Sequence, residues 1–123
     1  MARDPLAAFD ERVLAEVADE FDASVAALAA LVRRHQRLVR RLPGVDDIVY
    51  EWRRGFPTDP VVERRPEAYY LSVAESVWPE YVAALSLSER EADLLVAVHR
   101  AQLEATVGGQ PTGNREAMVL TRE

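Results

Sequence analysis

The sequence predicts a single α+β domain over residues 1–123, with about five helices and a small antiparallel sheet of two or three strands. Apolar residues recur at helical spacing over several stretches of the chain. Short runs rich in Val and Tyr flank a Pro-Glu turn in the middle, as in a β-hairpin. With 123 residues, 49% hydrophobic, the chain is long enough to bury one core without disulfides.

Two helices are predicted in the N-terminal third of the chain. Asp4-Pro5 is typical of an N-cap followed by proline in the first turn, and the apolar periodicity then continues to about Phe21. Asp22 or Ser24 can cap a second helix, which ends at Pro43-Gly44.

The segment 45–54 fits two structures. Ile48, Tyr50 and Trp52 alternate as in a strand, but the apolar residues from Val45 to Phe56 fit a helical stripe better. Acids at its start and arginines at its end would complement a helix dipole. We therefore predict a short helix.

The second half of the chain is predicted to contain the sheet. Residues 61–65 and 69–73 are β-prone and form a hairpin around Pro66-Glu67. A flexible connector, 108–115, leads to a terminal strand at 117–121 that would extend the hairpin to three strands.

Two further helices are predicted between the hairpin and the connector. A short one starts at Trp78-Pro79-Glu80. Ser88 and Glu91 have the spacing of a capping box, which predicts a long helix from there to about Val107.

The composition limits the cellular setting and the chemistry. The 15 basic residues are all Arg and face 21 acids, for a net charge of −6. This charge pattern fits a salt-rich archaeal cytoplasm, and an actinobacterial origin is the alternative. Without Cys there are no disulfides, thiolate metal sites or cysteine nucleophiles. The start of the chain lacks an apolar signal core, and the longest apolar run, Val25 to Val32, is far below the ~20 residues of a membrane span. We therefore expect a cytoplasmic protein without a membrane partner.

Three segments carry a resemblance to a known family. Residues 44–53, 59–64 and 69–78 resemble a family of short haloarchaeal proteins, and Val-Tyr-Glu-Trp-Arg at 49–53 is the most distinctive part. The resemblance covers most of the chain and implies an archaeal cytoplasm. Since that family has no assigned function, it transfers no functional residue.

The aromatic- and Arg-rich middle of the chain gives the leading functional hypothesis. Aromatic residues and Arg dominate binding hot spots, although aromatic residues also serve as core anchors with polar tips. The predicted partner-binding residues are Trp52, Arg53, Arg54, Arg64 and Tyr69. We expect a non-enzymatic interaction module that binds an unknown protein partner or a second copy of itself.

A DNA-binding regulator of helix-turn-helix or winged-helix type is the alternative. Its phosphate contacts would come from Arg33, Arg34, Arg37, Arg40 and Arg41. However, the second helix opens with alanines, which offer base edges only methyl groups. In a winged-helix frame, Asp46 and Asp47 would meet DNA with the wrong sign. Nucleic acid is therefore the disfavoured partner.

No catalytic or cofactor-binding pattern is present in the sequence. There is no nucleophile motif, and no Gly-rich phosphate loop follows a strand. His35 and His99 each lie on the apolar side of a long helix, where a hydrogen-bonded core role is commoner than metal binding. We predict no enzyme activity, cofactor or metal; whether the two histidines meet is left open.

Overall fold

The computed structural model describes residues 2–123 and confirms the predicted α+β class. The helices are α1 (Glu11–Glu20), α2 (Val25–Arg41), α3 (Val45–Gly55), α4 (Val77–Ala84) and α5 (Glu89–Val107). The strands are β1 (Val61–Arg64), β2 (Ala68–Ala74) and β3 (Arg115–Thr121), and they form one antiparallel sheet in the order β1-β2-β3. The last strand therefore extends the central hairpin to three strands, as predicted.

The predicted capping residues start two of the helices. The Ser24 hydroxyl accepts a hydrogen bond from the Ala27 amide at 3.0 Å at the start of α2. At the start of α5, Ser88 and Glu91 bond each other's backbone amides and form the complete capping box. The ambiguous segment is a helix, α3, with acids in its first turn and arginines in its last.

The first helix starts later than predicted. Asp4 does not cap it; its carboxylate accepts from the Leu6 amide within a short turn, and α1 begins only at Glu11. The turn is held by the end of the sheet, because the Thr121 hydroxyl donates to the Pro5 carbonyl at 3.0 Å. The Pro5 carbonyl is thus bonded by the end of β3, and the amides of Ala7 and Phe9 form only i→i−3 turn bonds.

The core lies around β2, β3 and the two long helices. α5 packs along β3, and α1 packs against both α5 and α2. The largest fully buried apolar side chains are Leu28, Leu71, Leu95, Met118 and Leu120. Within residues 2–123, no helix has both the length and the apolar character needed to cross a membrane.

Candidate functional site

One side of α3 and the outer strand β1 enclose a concavity of about 350 Å³. Residues 46 and 50, and likewise 49 and 53, lie four positions apart, so α3 presents these two adjacent pairs on one side. The residues that line this α3–β1 concavity are Asp46, Asp47, Val49, Tyr50, Arg53, Val61, Arg64 and Tyr69. It is the place where the aromatic- and Arg-rich middle of the chain meets the surface.

Tyr69 is a fixed part of this concavity. Its ring is buried, and its hydroxyl donates a hydrogen bond of 2.6 Å to the Asp46 carboxylate. Burial, together with this bond, raises the pKa of Tyr69 above its ordinary value. The guanidinium carbons of Arg122 and Arg64 lie 5.1 and 6.0 Å from the ring centroid. Of these two arginines, Arg64 lines the concavity beside the buried ring.

Tyr50 is the accessible aromatic residue of the concavity. Its side chain is 60% exposed, whereas the other three tyrosines are buried or half-buried. The Arg54 guanidinium lies over the Tyr50 ring at 5.6 Å, and Arg53 forms a 3.3 Å ion pair with Asp59. Sequence reasoning did not select Tyr50, although its spacing from Asp46 and Arg53 places it on the same side of α3.

The structure brings together part of the predicted partner-binding set. Arg53, Arg64 and Tyr69 line the concavity, and Arg54 reaches it only through Tyr50. Trp52 does not line it. Its ring stacks on Phe56 with centroids 6.1 Å apart and packs against the core.

The five arginines of α2 do not form one surface. Arg34, Arg37 and Arg41 line a second concavity of about 500 Å³, together with the C-terminal end of α4. Arg40 instead donates hydrogen bonds to the carbonyls of residues 3 and 122, at 2.7 and 3.5 Å. Arg33 is half-buried and does not line this concavity. We call the surface lined by Arg34, Arg37, Arg41, Ala84, Leu85 and Ser86 the arginine concavity.

The two histidines meet in the core. Their ring centroids are 5.3 Å apart in a T-shaped contact, and each lies 4.8 Å from the ring of Trp78. Both side chains are completely buried. Burial lowers the pKa of His35 from 6.5 to about 3. Burial, and secondarily the neighbouring His35, lowers the pKa of His99 well below 6.5. Both are therefore neutral at physiological pH.

The buried side chains of His99, Gln36 and Trp78 form hydrogen bonds with the backbone along the free edge of β3. The Val119 amide donates to Nδ1 of His99 at 2.9 Å. Gln36 donates to the Val119 carbonyl at 2.8 Å and accepts from the Thr121 amide at 2.9 Å. The Trp78 indole donates to the Ala117 carbonyl at 3.0 Å. Side chains from three helices thus replace the missing neighbouring strand, which gives the buried residues a structural role.

The histidine pair lacks the surroundings of a metal site. Because Nδ1 of His99 accepts the Val119 amide, the proton of the neutral ring lies on Nε2. In the described part of the chain, Nε2 of His99 and Nε2 of His35 have no hydrogen-bond partner. Nor do residues 2–123 contain a group of three or more His, Cys, Asp or Glu side chains that could hold a metal ion.

A third depression lies between α4 and α5 and was not predicted. It encloses about 570 Å³, and its apolar lining includes Trp78, Val82 and Val96. Its rim carries Arg100 and Glu116, joined by two hydrogen bonds of 2.7 and 2.6 Å. The Arg100 side chain lowers the pKa of Glu116, so this carboxylate is already neutralised by its neighbour.

Comparisons with known proteins yield a family but no relative of known activity. No curated protein matches the chain, and no solved structure matches it. The model of one family, described as a domain of unknown function (DUF8048), matches residues 7–122. These residues include every helix and strand of the fold. The chain therefore belongs to the DUF8048 family.

Proposed function

We propose that the protein is a non-enzymatic interaction module whose partner face is the α3–β1 concavity. The observation that carries this proposal is the 60% exposure of Tyr50, which borders the concavity beside three arginines. Tyr and Arg are the residue types, with Trp, that most often supply binding energy at protein interfaces. Exposed tyrosine orders cheaply on binding, because its ring has only two side-chain torsions.

The charges of the face favour a partner with both signs of charge. Asp47 is exposed and Arg64 projects from β1, so the concavity offers a carboxylate and a guanidinium within the same lining. A second copy of the chain carries this same combination, which makes self-association the simplest form of the proposal. The family resemblance adds a salt-loving cytoplasm as the setting, where only short-range contacts escape screening.

The experiment compares two exposed side chains. Tyr50→Ala removes the exposed ring of the concavity, and Val25→Ser changes an exposed apolar residue at the start of α2, which does not line it. Sedimentation velocity at low and molar salt measures self-association. A photo-crosslinking residue at position 50, with position 25 as control, captures a different protein in cells. We expect Tyr50→Ala to weaken association by on the order of tenfold or more, as at a hot spot, and Val25→Ser to leave it unchanged.

Two results would refute this proposal. One is a protein that stays monomeric at all concentrations and gives no position-50 crosslink above that at position 25. The other is an association that Tyr50→Ala leaves intact, because the partner face would then lie elsewhere.

A DNA-binding regulator is the second hypothesis, and the shared position of three α2 arginines supports it. Against it stand the first turn of α2, which begins Val25-Ala26-Ala27, and the hydrogen bonds that tie Arg40 to carbonyls within the fold. In helix-turn-helix proteins, side chains in the first turns of an exposed helix contact the base edges in the major groove. We therefore rank DNA binding below protein binding.

A further inference from the structure

The arginine concavity carries positive charge only. Its lining residues include three guanidiniums and no carboxylate. Among the ion pairs formed by residues 2–123, none involves Arg34, Arg37 or Arg41, while five other arginines each pair with an acid. Arg34 still acts on a nearby acid, because hydrogen bonds from Ser88, and secondarily the charge of Arg34, lower the pKa of Glu91. In a chain of net charge −6, three neighbouring guanidiniums without an ion pair are nevertheless electrostatically unexpected.

The C-terminal ends of two helices offset part of this positive charge. The C-terminus of a helix is equivalent to about half a negative charge, and both α4 and α2 end at this concavity. Arg34 donates to the Leu85 carbonyl at 2.7 Å, so it acts partly as a cap of α4. The two helix ends together offset about one of the three charges. Arg37 and Arg41 remain, and neither forms an ion pair within residues 2–123.

We propose that the arginine concavity binds a small ligand that carries two or more linked phosphate groups. Guanidinium forks match phosphate oxygens in shape and charge. Positions 34, 37 and 41 lie on one side of α2, over about 10 Å of its length. This span favours a diphosphate or triphosphate group, which is longer than a single phosphate and carries more charge. This site is independent of the α3–β1 concavity.

The shape of the concavity favours a small ligand over a nucleic acid. The C-terminal residues of α4 form one wall of it, so α2 does not stand free for insertion into a groove. The first turn of α2 supplies no polar side chain beyond the capping Ser24, whose hydroxyl is already bonded. Nucleic acid nevertheless shares the phosphate chemistry, and the test must separate the two.

The test uses inorganic pyrophosphate as the probe in isothermal titration calorimetry, with inorganic phosphate and a short DNA duplex as further arms. The double variant Arg37→Gln/Arg41→Gln removes two guanidiniums and keeps Arg34, which caps α4. Arg12→Gln is the matched control, because Arg12 is an exposed arginine of α1 that pairs only with Glu16. Circular dichroism verifies that each protein is folded in the titration buffer.

We expect pyrophosphate to bind one site per chain and phosphate to bind more weakly. The double variant should lose on the order of tenfold in affinity for each guanidinium removed, and Arg12→Gln should bind as the parent does. Absence of pyrophosphate binding to the folded parent overturns the proposal. So does equal binding by the double variant. A duplex that binds more tightly than pyrophosphate overturns it in favour of nucleic acid.

Discussion

The buried histidine pair makes the stability of the fold sensitive to acid. The folded protein holds His35 neutral because burial lowers its pKa from 6.5 to about 3, and it lowers the pKa of His99 in the same direction. In the unfolded chain both rings are hydrated and take up a proton near pH 6.5. Lowering the pH therefore protonates the unfolded chain first and favours unfolding.

The sign and the size of this effect follow from proton linkage. Above about pH 7.5 both rings are neutral in the folded and in the unfolded protein, so the histidines do not reduce the free energy of unfolding there. As the pH falls through 6.5 towards 3, the free energy of unfolding decreases by up to about 1.4 kcal/mol per pH unit because of His35, and His99 acts in the same direction. At pH 5 the loss caused by His35 is about 2 kcal/mol. A loss of this size, to which His99 adds, is a substantial part of the ~5–15 kcal/mol free energy of unfolding of a typical domain.

Urea unfolding at constant, high ionic strength measures this loss. Salt screens the change in net charge that accompanies acidification, and a lower limit of pH 5 stays above the ordinary pKa of the carboxylates. His99→Asn places an amide oxygen near the position of Nδ1, which keeps an acceptor for the Val119 amide while removing one titrating ring. We expect the slope of unfolding free energy against pH to be smaller in this variant, because only His35 then contributes a buried imidazole.

Nuclear magnetic resonance of the parent protein provides a test that needs no variant. The imidazole C–H resonances of His35 should not titrate between pH 7.5 and 5, since its pKa is about 3, and those of His99 should show no titration near pH 6.5. A ring that titrates near pH 6.5 in the folded state refutes the reasoning. So does a stability that is flat over this range.

Two substitutions test the hydrogen bonds that position the fold. Gln36→Leu leaves the Val119 carbonyl and the Thr121 amide buried without partners, so we expect a loss of about 2–5 kcal/mol in urea unfolding; a loss below 1 kcal/mol would mean that water replaces the amide. Ser88→Ala removes the cap of α5 and should cost about 1 kcal/mol. Ser76→Ala is its control and should be nearly neutral, because the Ser76 side chain caps no amide of α4. Equal losses in the two serine variants would contradict the capping argument.

Local signals were sufficient to predict most of the fold. Ser24, Ser88 and Pro66-Glu67 act through residues within a few positions of themselves, and α2, α5 and the hairpin begin or turn where they indicate. The predicted start of α1 at Pro5 was wrong. The Pro5 carbonyl is instead bonded by Thr121, at the other end of the chain. No local pattern contains that information.

The candidate partner face was predictable only in part. Trp52 was chosen for its residue type, but the helical stripe that predicts α3 also places Trp52 beside Ile48, on the side that packs against the core. Tyr50 lies off that stripe and is exposed. The helical period, applied to the choice of partner-binding residues, would have selected Tyr50 instead of Trp52. The contact between His35 and His99 depends on how α2 and α5 pack, which single-sequence periodicity does not determine.

The two edges of the sheet indicate how a partner can contact it. The edge of β3 is closed by side chains of Gln36, His99 and Trp78, so no added strand can pair there. The edge of β1 is short and interrupted by an irregularity between Val61 and Glu63, a feature that blocks strand addition. Backbone pairing is thus disfavoured at both edges. A partner at the β1 end of the sheet must be recognised through side chains, and the concavity beside β1 is where the fold leaves a tyrosine ring and guanidinium groups accessible.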